Sequence, residues 1–322
     1  MFKNKKITFF FLQIILCFSL NAQIIKNKSF FNINVIPFSE ISYGTMKEIL
    51  FFSNSDEKTS LLEWKKKGLF YFGSDFEFSY KNSIFTIGAC FAYPINFGKM
   101  LDSDWNEDGI KTMYSISEIK VNNSFFSNLI YKYKIDFGRN IIFPIFEIDY
   151  AFNDFLSKNA EGWYASKDFS TDGKDHSWNS EYAHHYPDEK YKLLGVEYQN
   201  HLISTFLGFE YLTKCTKKVD FGFKFYFSPY TYSYSKDHHL GRKNDWEIIY
   251  SQGHFIFKYF KTEIFTNYKL NNFLSLKFIF YGKYLAPVKG DLFDKDMYLD
   301  SQKIAHAEWN INFRLALNIF LF

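Results

Sequence analysis

Two short stretches hold side chains whose types and spacing suit hydrolytic chemistry. Asp102-Ser103-Asp104-Trp105 sets two carboxylates two residues apart, and Asp237-His238-His239 sets a carboxylate two before an imidazole. Residues i and i+2 of an extended segment point the same way, so Asp102 can share a face with Asp104, and Asp237 with His239. A histidine beside a carboxylate is held in one tautomer, and its imidazolium is stabilised when it takes a proton. Two neighbouring carboxylates resist double ionisation, so one keeps a proton to higher pH. Facing each other across a cleft, the pairs could activate a water from one side and protonate a leaving amine from the other. No serine or cysteine nucleophile is needed. Each stretch taken alone is more often an ordinary solvated loop than a site, so the chemistry requires a fold that brings both pairs together. His184-His185 and His238-His239, with nearby acids, match no compact metal-ligand spacing; neither a metal nor a cofactor is expected.

The elements that must position these residues read as strands. Aromatics make up 22% of the chain, with 42 Phe and 24 Tyr, yet beyond the leader no apolar run is long enough for a helical span. A barrel in lipid uses such a load, because lipid-facing positions are apolar and both interfaces favour aromatic girdles. Phe221, Phe223, Phe225 and Phe227 alternate with Asp220, Gly222, Lys224, Tyr226 and Ser228, which gives one lipid face and one lumen face. Segments 307–317 and 118–125 alternate in the same way. Any one such stretch also suits a soluble β-sandwich; the aromatic load, the leader and the joint pattern favour the barrel. Strands are expected at 28–44, 60–80, 83–101, 112–135, 141–165, 188–212, 219–236, 246–268, 273–290 and 304–322. Short turns at residues 80–83, 136–140, 214–220 and 269–272 alternate with longer loops near 45–59, 102–111, 166–187, 237–245 and 291–303. The fold class is all-β, a transmembrane antiparallel β-barrel of about ten strands. Many strands exceed the ~9–11 residues that cross a bilayer, so the wall is expected to extend above the membrane on the extracellular side, where the long loops lie.

Lys3, Lys5 and Lys6 precede an apolar run from Ile7 to Leu20, and Ala22 offers a cleavage site. Residues 1–22 read as a signal peptide and 23–322 as one outer-membrane barrel. Without the three leader lysines, Lys and Arg equal Asp and Glu at 35 each, so nothing points to nucleic acid. Cys90 and Cys215 form no disulfide framework. Phe320 and Phe322 close the chain with the aromatics that barrel-assembly machinery reads, a partner expected together with outer-membrane lipid.

On these residues the chain resembles the omptin family, the ten-stranded outer-membrane endopeptidases. Asp102-Ser103-Asp104-Trp105 matches that family's motif at the top of strand three, and Asp237-His238-His239 the one at the top of strand seven. Gly44-Thr45-Met46-Lys47-Glu48 is similar to the omptin stretch carrying an S1-pocket glutamate, and Leu62-Glu63-Trp64 to the family's Leu-acidic-Trp on strand two. The resemblance implies that Asp237 and His239 activate water, that Asp102 and Asp104 form the facing couple, and that Glu48 recognises a basic side chain. Exposed peptides or proteins at the cell surface would be the substrates, and the site would face outward. Three departures stand out. The second acidic S1 residue falls on Ser235, which weakens or alters a preference for Arg or Lys. The lipopolysaccharide-binding pattern meets Tyr150, Phe152 and Asp154, where the charge is missing or reversed, so lipopolysaccharide dependence is doubtful. The loop after Asp104 is short, which would open the groove. Parity carried from Phe221 to Phe227 would turn Ser235, Asp237 and His239 outward, so a bulge is expected, with Pro229 a suitable place. The competing readings are a catalytically silent barrel serving as adhesin or surface receptor and, more weakly, a pore.

Overall fold

The structure, a computed structural model, describes residues 31–52, 55–186, 195–240, 248–294 and 297–321. The segment read as a signal peptide lies outside the described residues. Ten antiparallel strands close into a ring. They are β1 (Phe31–Phe51), β2 (Lys58–Tyr80), β3 in two pieces (Ser83–Ala92 and Asn96–Trp105), β4 (Lys111–Tyr133) and β5 (Asn140–Tyr164). They continue with β6 (Val196–Lys214), β7 (Val219–His239), β8 in two pieces (Ile248–Phe255 and Tyr259–Lys269), β9 (Leu274–Asp294) and β10 (Met297–Phe320). Each strand pairs with its sequence neighbours, and β1 closes on β10 from Asn34↔Phe320 to Phe51↔Lys303. Closure leaves no sheet edge to satisfy in lipid. Two three-residue strands, Ile135–Phe137 and His184–Tyr186, add to β5.

The expected strand order holds, with four loops corrected. Residues 45–51 belong to β1, 102–105 to β3, 237–239 to β7, and 291–294 and 297–303 to β9 and β10, so the walls are taller than alternation alone indicates. At the opposite end the turns are short; Lys81 takes a positive φ of 53° and Gly138 one of 81°.

The barrel has two levels. In the lower one the outer face is apolar, with Phe70, Phe72, Phe85, Ile87, Phe146, Phe221, Phe223, Phe278, Phe313 and Leu315 all exposed. Its lumen is polar and paired. Lys261 Nζ lies 2.6 Å from Glu147 and 2.7 Å from Asp149, Arg314 Nε 2.7 Å from Glu40, and Lys224 Nζ 2.8 Å from Glu263. That is the pattern of a wall in hydrocarbon.

Above this belt the pattern inverts. Trp64, Phe97, Ile119, Val121, Phe155 and Tyr198 fill the lumen as a hydrophobic core. Lys47 and Glu63, 3.0 Å apart, lie toward the outside. Alternation in 118–125 puts Ile119 and Val121 on an expected lipid face; the structure buries both inside, because this level is bathed in water and its apolar residues pack inward. Four strands change parity between the levels through an extra residue. They are β2 at Gly68, β4 at Asn122, β7 at 228–229 and β9 at 286–287, each seen as a register shift against its neighbour. Gly68 has φ +81°, a conformation that costs side-chain-bearing residues dearly. A bulge is how a strand re-aims every residue after it.

Candidate active site

The site forms where the upper walls end. In β7 the even positions Asp220, Tyr226 and Ser228 are buried, and then the odd positions Thr231, Ser233, Ser235 and Asp237. The switch follows Phe227↔Leu207 and Tyr230↔Thr205, where three residues of β7 oppose two of β6. The bulge predicted at Pro229 is therefore present, and Ser228 Oγ caps it by donating to the Tyr230 carbonyl at 2.8 Å. Its consequence is that Asp237 and His239 turn inward. Met100 is buried in β3, and Asp102 and Asp104, at the same parity, follow it into the lumen half-buried. Register fixes their height, with Asp102 opposite Leu62 and Asp104 opposite Ser60 of β2. On β1, Glu48 lies opposite Leu62 on one side and His306 on the other.

These five side chains, Glu48, Asp102, Asp104, Asp237 and His239, line one open cleft of about 620 Å³. His239 Nε2 is 3.3 Å from Asp237 Oδ2. Asp237 is buried, and its Oδ1 has no hydrogen-bond partner among the described residues. The rest of the rim is acidic. Glu107, Asp108, Asp168 and Asp175 join the four carboxylates just named, against one lysine, Lys167, among the described residues. Asp175 also ties the long 165–183 loop down, accepting from Asn106 Nδ2 at 3.1 Å and from the Lys167 amide at 2.7 Å. Low-dielectric walls carrying one sign of charge concentrate ligands of the other.

Glu48 stands above the lipid belt. Burial chiefly, and then the charge of Asp237, push its carboxyl well above the usual carboxylate range, while a hydrogen bond from Tyr198 works the other way. Its Oε2 is buried without a hydrogen-bond partner among the described residues. Ser235 is also buried but lies beneath the cleft wall, not on it; its Oγ is 2.5 Å from Ser251 Oγ and 3.3 Å from His306 Nε2.

Sequence reasoning missed several neighbours. Tyr198, 1% exposed, stacks on Trp64 with ring centroids 5.3 Å apart within the hydrophobic core. His254 and His306 both lie within strands, where a polar residue is expected to face the lumen. His306 is buried inside, but His254 is exposed on the outer wall and hydrogen-bonded to the Tyr230 hydroxyl at 2.8 Å, because Ser251, Gly253 and Phe255 take the inward positions. In the two histidine pairs, His185 Nε2 is 3.0 Å from Glu161 and His238 Nδ1 3.6 Å from Glu197. Tyr150 and Phe152 do meet on the outer wall, where His201 accepts from or donates to the Tyr150 hydroxyl at 2.8 Å and packs on Phe152.

No family model and no curated protein sequence matches the chain. Solved structures do. The outer membrane protease OmpT of Escherichia coli superposes with a TM-score of 0.75 over 93% of this chain and 99% of its own, at 14% identity. A FadL homologue of Pseudomonas aeruginosa overlaps with a TM-score of 0.27 at 6% identity, covering 89% of this chain and 90% of its own. The Pseudomonas putida toluene transporter TodX reaches 0.28 at 7%, covering 88% and 89%. The fold is thus that of the OmpT barrel, a closed antiparallel sheet of ten strands.

Proposed function

We propose that the protein is an omptin-like endopeptidase of the outer membrane, cleaving exposed peptides with a water activated by Asp237 and His239. The observation that carries this reading is the convergence of Glu48, Asp102, Asp104, Asp237 and His239 on one cleft, from strands β1, β3 and β7 that are far apart in sequence. His239, held by Asp237, takes the proton of the attacking water. Asp102 and Asp104 hold one proton between them and pass it to the leaving amine. Glu48 meets a basic side chain before the scissile bond, and the acidic rim draws such peptides in.

The cleft opens at the end away from the short turns, which suits a mouth facing the exterior. Lipopolysaccharide dependence is not expected, because Tyr150, Phe152 and Asp154 supply no cation for its phosphates.

The test is a peptide with paired basic residues offered to the barrel in its membrane, with wild type and His239→Ala compared. Loss of cleavage in the variant supports the reading. Equal cleavage by both removes it, and no cleavage by either leaves a surface receptor.

A further inference from the structure

Beneath the cleft lies a chain of hydrogen bonds for which the water-activating groups have no use. His306, 4% exposed, stands in β10 directly opposite Glu48. Its Nε2 is 2.8 Å from Ser251 Oγ, and its Nδ1 is 3.3 Å from the Tyr198 hydroxyl. Tyr198 in turn stands beside Glu48, whose ionised form it favours.

Counting protons gives the chain a direction. A phenol has one hydrogen, and the carboxylate can only accept it. When Tyr198 donates to Glu48, its oxygen is left as an acceptor, so the hydrogen between it and His306 must sit on Nδ1. Nε2 is then the acceptor, and Ser251 donates to it. Every bond along Ser251, His306, Tyr198 and Glu48 then points its positive end at the carboxylate. Neutral imidazole satisfies this order, and burial favours that form, holding His306 down at about 4.

Glu48 needs such support. Asp237 of β7 faces it with like charge, Asp102 of β3 shares its cleft, and Leu62 of β2 offers only hydrocarbon. Glu308, two residues along β10 from His306, is already matched by Lys66 at 2.8 Å. Burial and the charge of Asp237 oppose the ionised form of Glu48, and Tyr198 favours it. Glu48 Oε2 is buried at the cleft and without a hydrogen-bond partner among the described residues.

We propose that His306 is a positioning residue that, through Tyr198, holds Glu48 as the cation acceptor of the cleft, so selection of a basic side chain depends on a histidine that touches no substrate. This rests on the endopeptidase reading only in naming the occupant a peptide side chain; the cation site stands on its own geometry. It also accounts for Ser235. The uncharged hydroxyl lets the neutral His306–Ser251 pair pack beneath the pocket, where a further carboxylate would attract a proton onto the imidazole and reverse the chain.

The test uses the full barrel folded in its membrane and benzamidine as the probe, with binding followed by calorimetry from pH 5 to 8. Glu48→Gln should abolish binding. His306→Ala should weaken it about tenfold, the loss expected from one buried donor, and move the acidic limb of binding to higher pH. His306→Asn, whose amide nitrogen can stand where Nδ1–H stands, should restore both. Equal affinity and equal pH profiles for wild type and His306→Ala would overturn the proposal, as would absence of benzamidine binding to wild type. Cleavage of the basic peptide, measured in parallel, separates the two ideas. Cleavage without benzamidine binding sinks the cation site, and binding without cleavage sinks the protease.

Discussion

Replacing His306 with asparagine should flatten the acid sensitivity of the barrel. In the folded chain burial lowers this imidazole from its ordinary 6.5 to about 4, and in the unfolded chain it titrates near its ordinary value. A group depressed in this way contributes nothing above the unfolded value. As pH falls from 6.5 towards 4, the unfolded chain takes up a proton that the folded chain refuses, and stability is lost. Each unit of difference is worth about 1.4 kcal/mol, so wild type should lose about 3 kcal/mol between pH 7 and pH 4 through this residue alone. His306 stands above the lipid belt and is 4% exposed, so little solvent screening reduces that figure. Urea unfolding of the refolded barrel, followed by tryptophan fluorescence at both pH values, measures it. Carboxylates titrate alike in both proteins, so the difference between wild type and His306→Asn isolates the imidazole. Identical pH slopes would refute the claim that His306 is buried in its neutral form.

Other expectations concern the walls and the rim. Lys261→Met leaves Glu147 and Asp149 facing each other without their cation inside the belt and should cost about 3–5 kcal/mol; adding Glu147→Gln and Asp149→Asn should recover most of it, and an unchanged unfolding midpoint in the single variant would count against the paired lumen. Trp64→Ala empties a fully buried site stacked on Tyr198 and should cost about 3–5 kcal/mol while raising KM for basic peptides; no change in either would detach the lumen core from the pocket above it. Because eight carboxylates line the cleft against one lysine, kcat/KM for a basic peptide should fall as salt rises from about 0.01 to 0.15 M, where the Debye length shrinks from ~30 to ~8 Å. A neutral peptide should show no such dependence, and equal salt curves would remove the steering argument.

The sequence made the lower barrel legible because lipid enforces strict alternation there. Phe221 to Phe227 and Trp309 to Leu315 face outward as their spacing indicates. It misled for Ile119 and Val121, since above the belt water is outside and the apolar face turns inward. Alternation reports two different faces in one strand, and only the environment decides which is which. The bulge at 228–229 was legible from a conflict: chemistry wanted Asp237 inward, parity wanted it outward, and proline marked where the two could be reconciled. The acidic couples and Glu48 stood out as motifs. Tyr198 and His306 did not, because a single tyrosine or histidine in a strand carries no spacing signal. Only register brings His306 opposite Glu48. The walls at 45–51, 291–294 and 297–303 were missed because charged, water-facing strand residues look like loop.

The central claim is that Asp237 and His239, with Asp102 and Asp104, hydrolyse a peptide bond in this cleft. Measuring kcat/KM for a paired-basic peptide with wild type, Asp102→Asn, Asp104→Asn, Asp237→Asn and His239→Ala, all folded in the same membrane, tests it most directly. The account predicts that His239→Ala and Asp237→Asn each lose on the order of 10²–10⁴-fold, and that the facing pair also loses activity when either member is neutralised. Variants as active as wild type, or a wild type with no activity to lose, would contradict it.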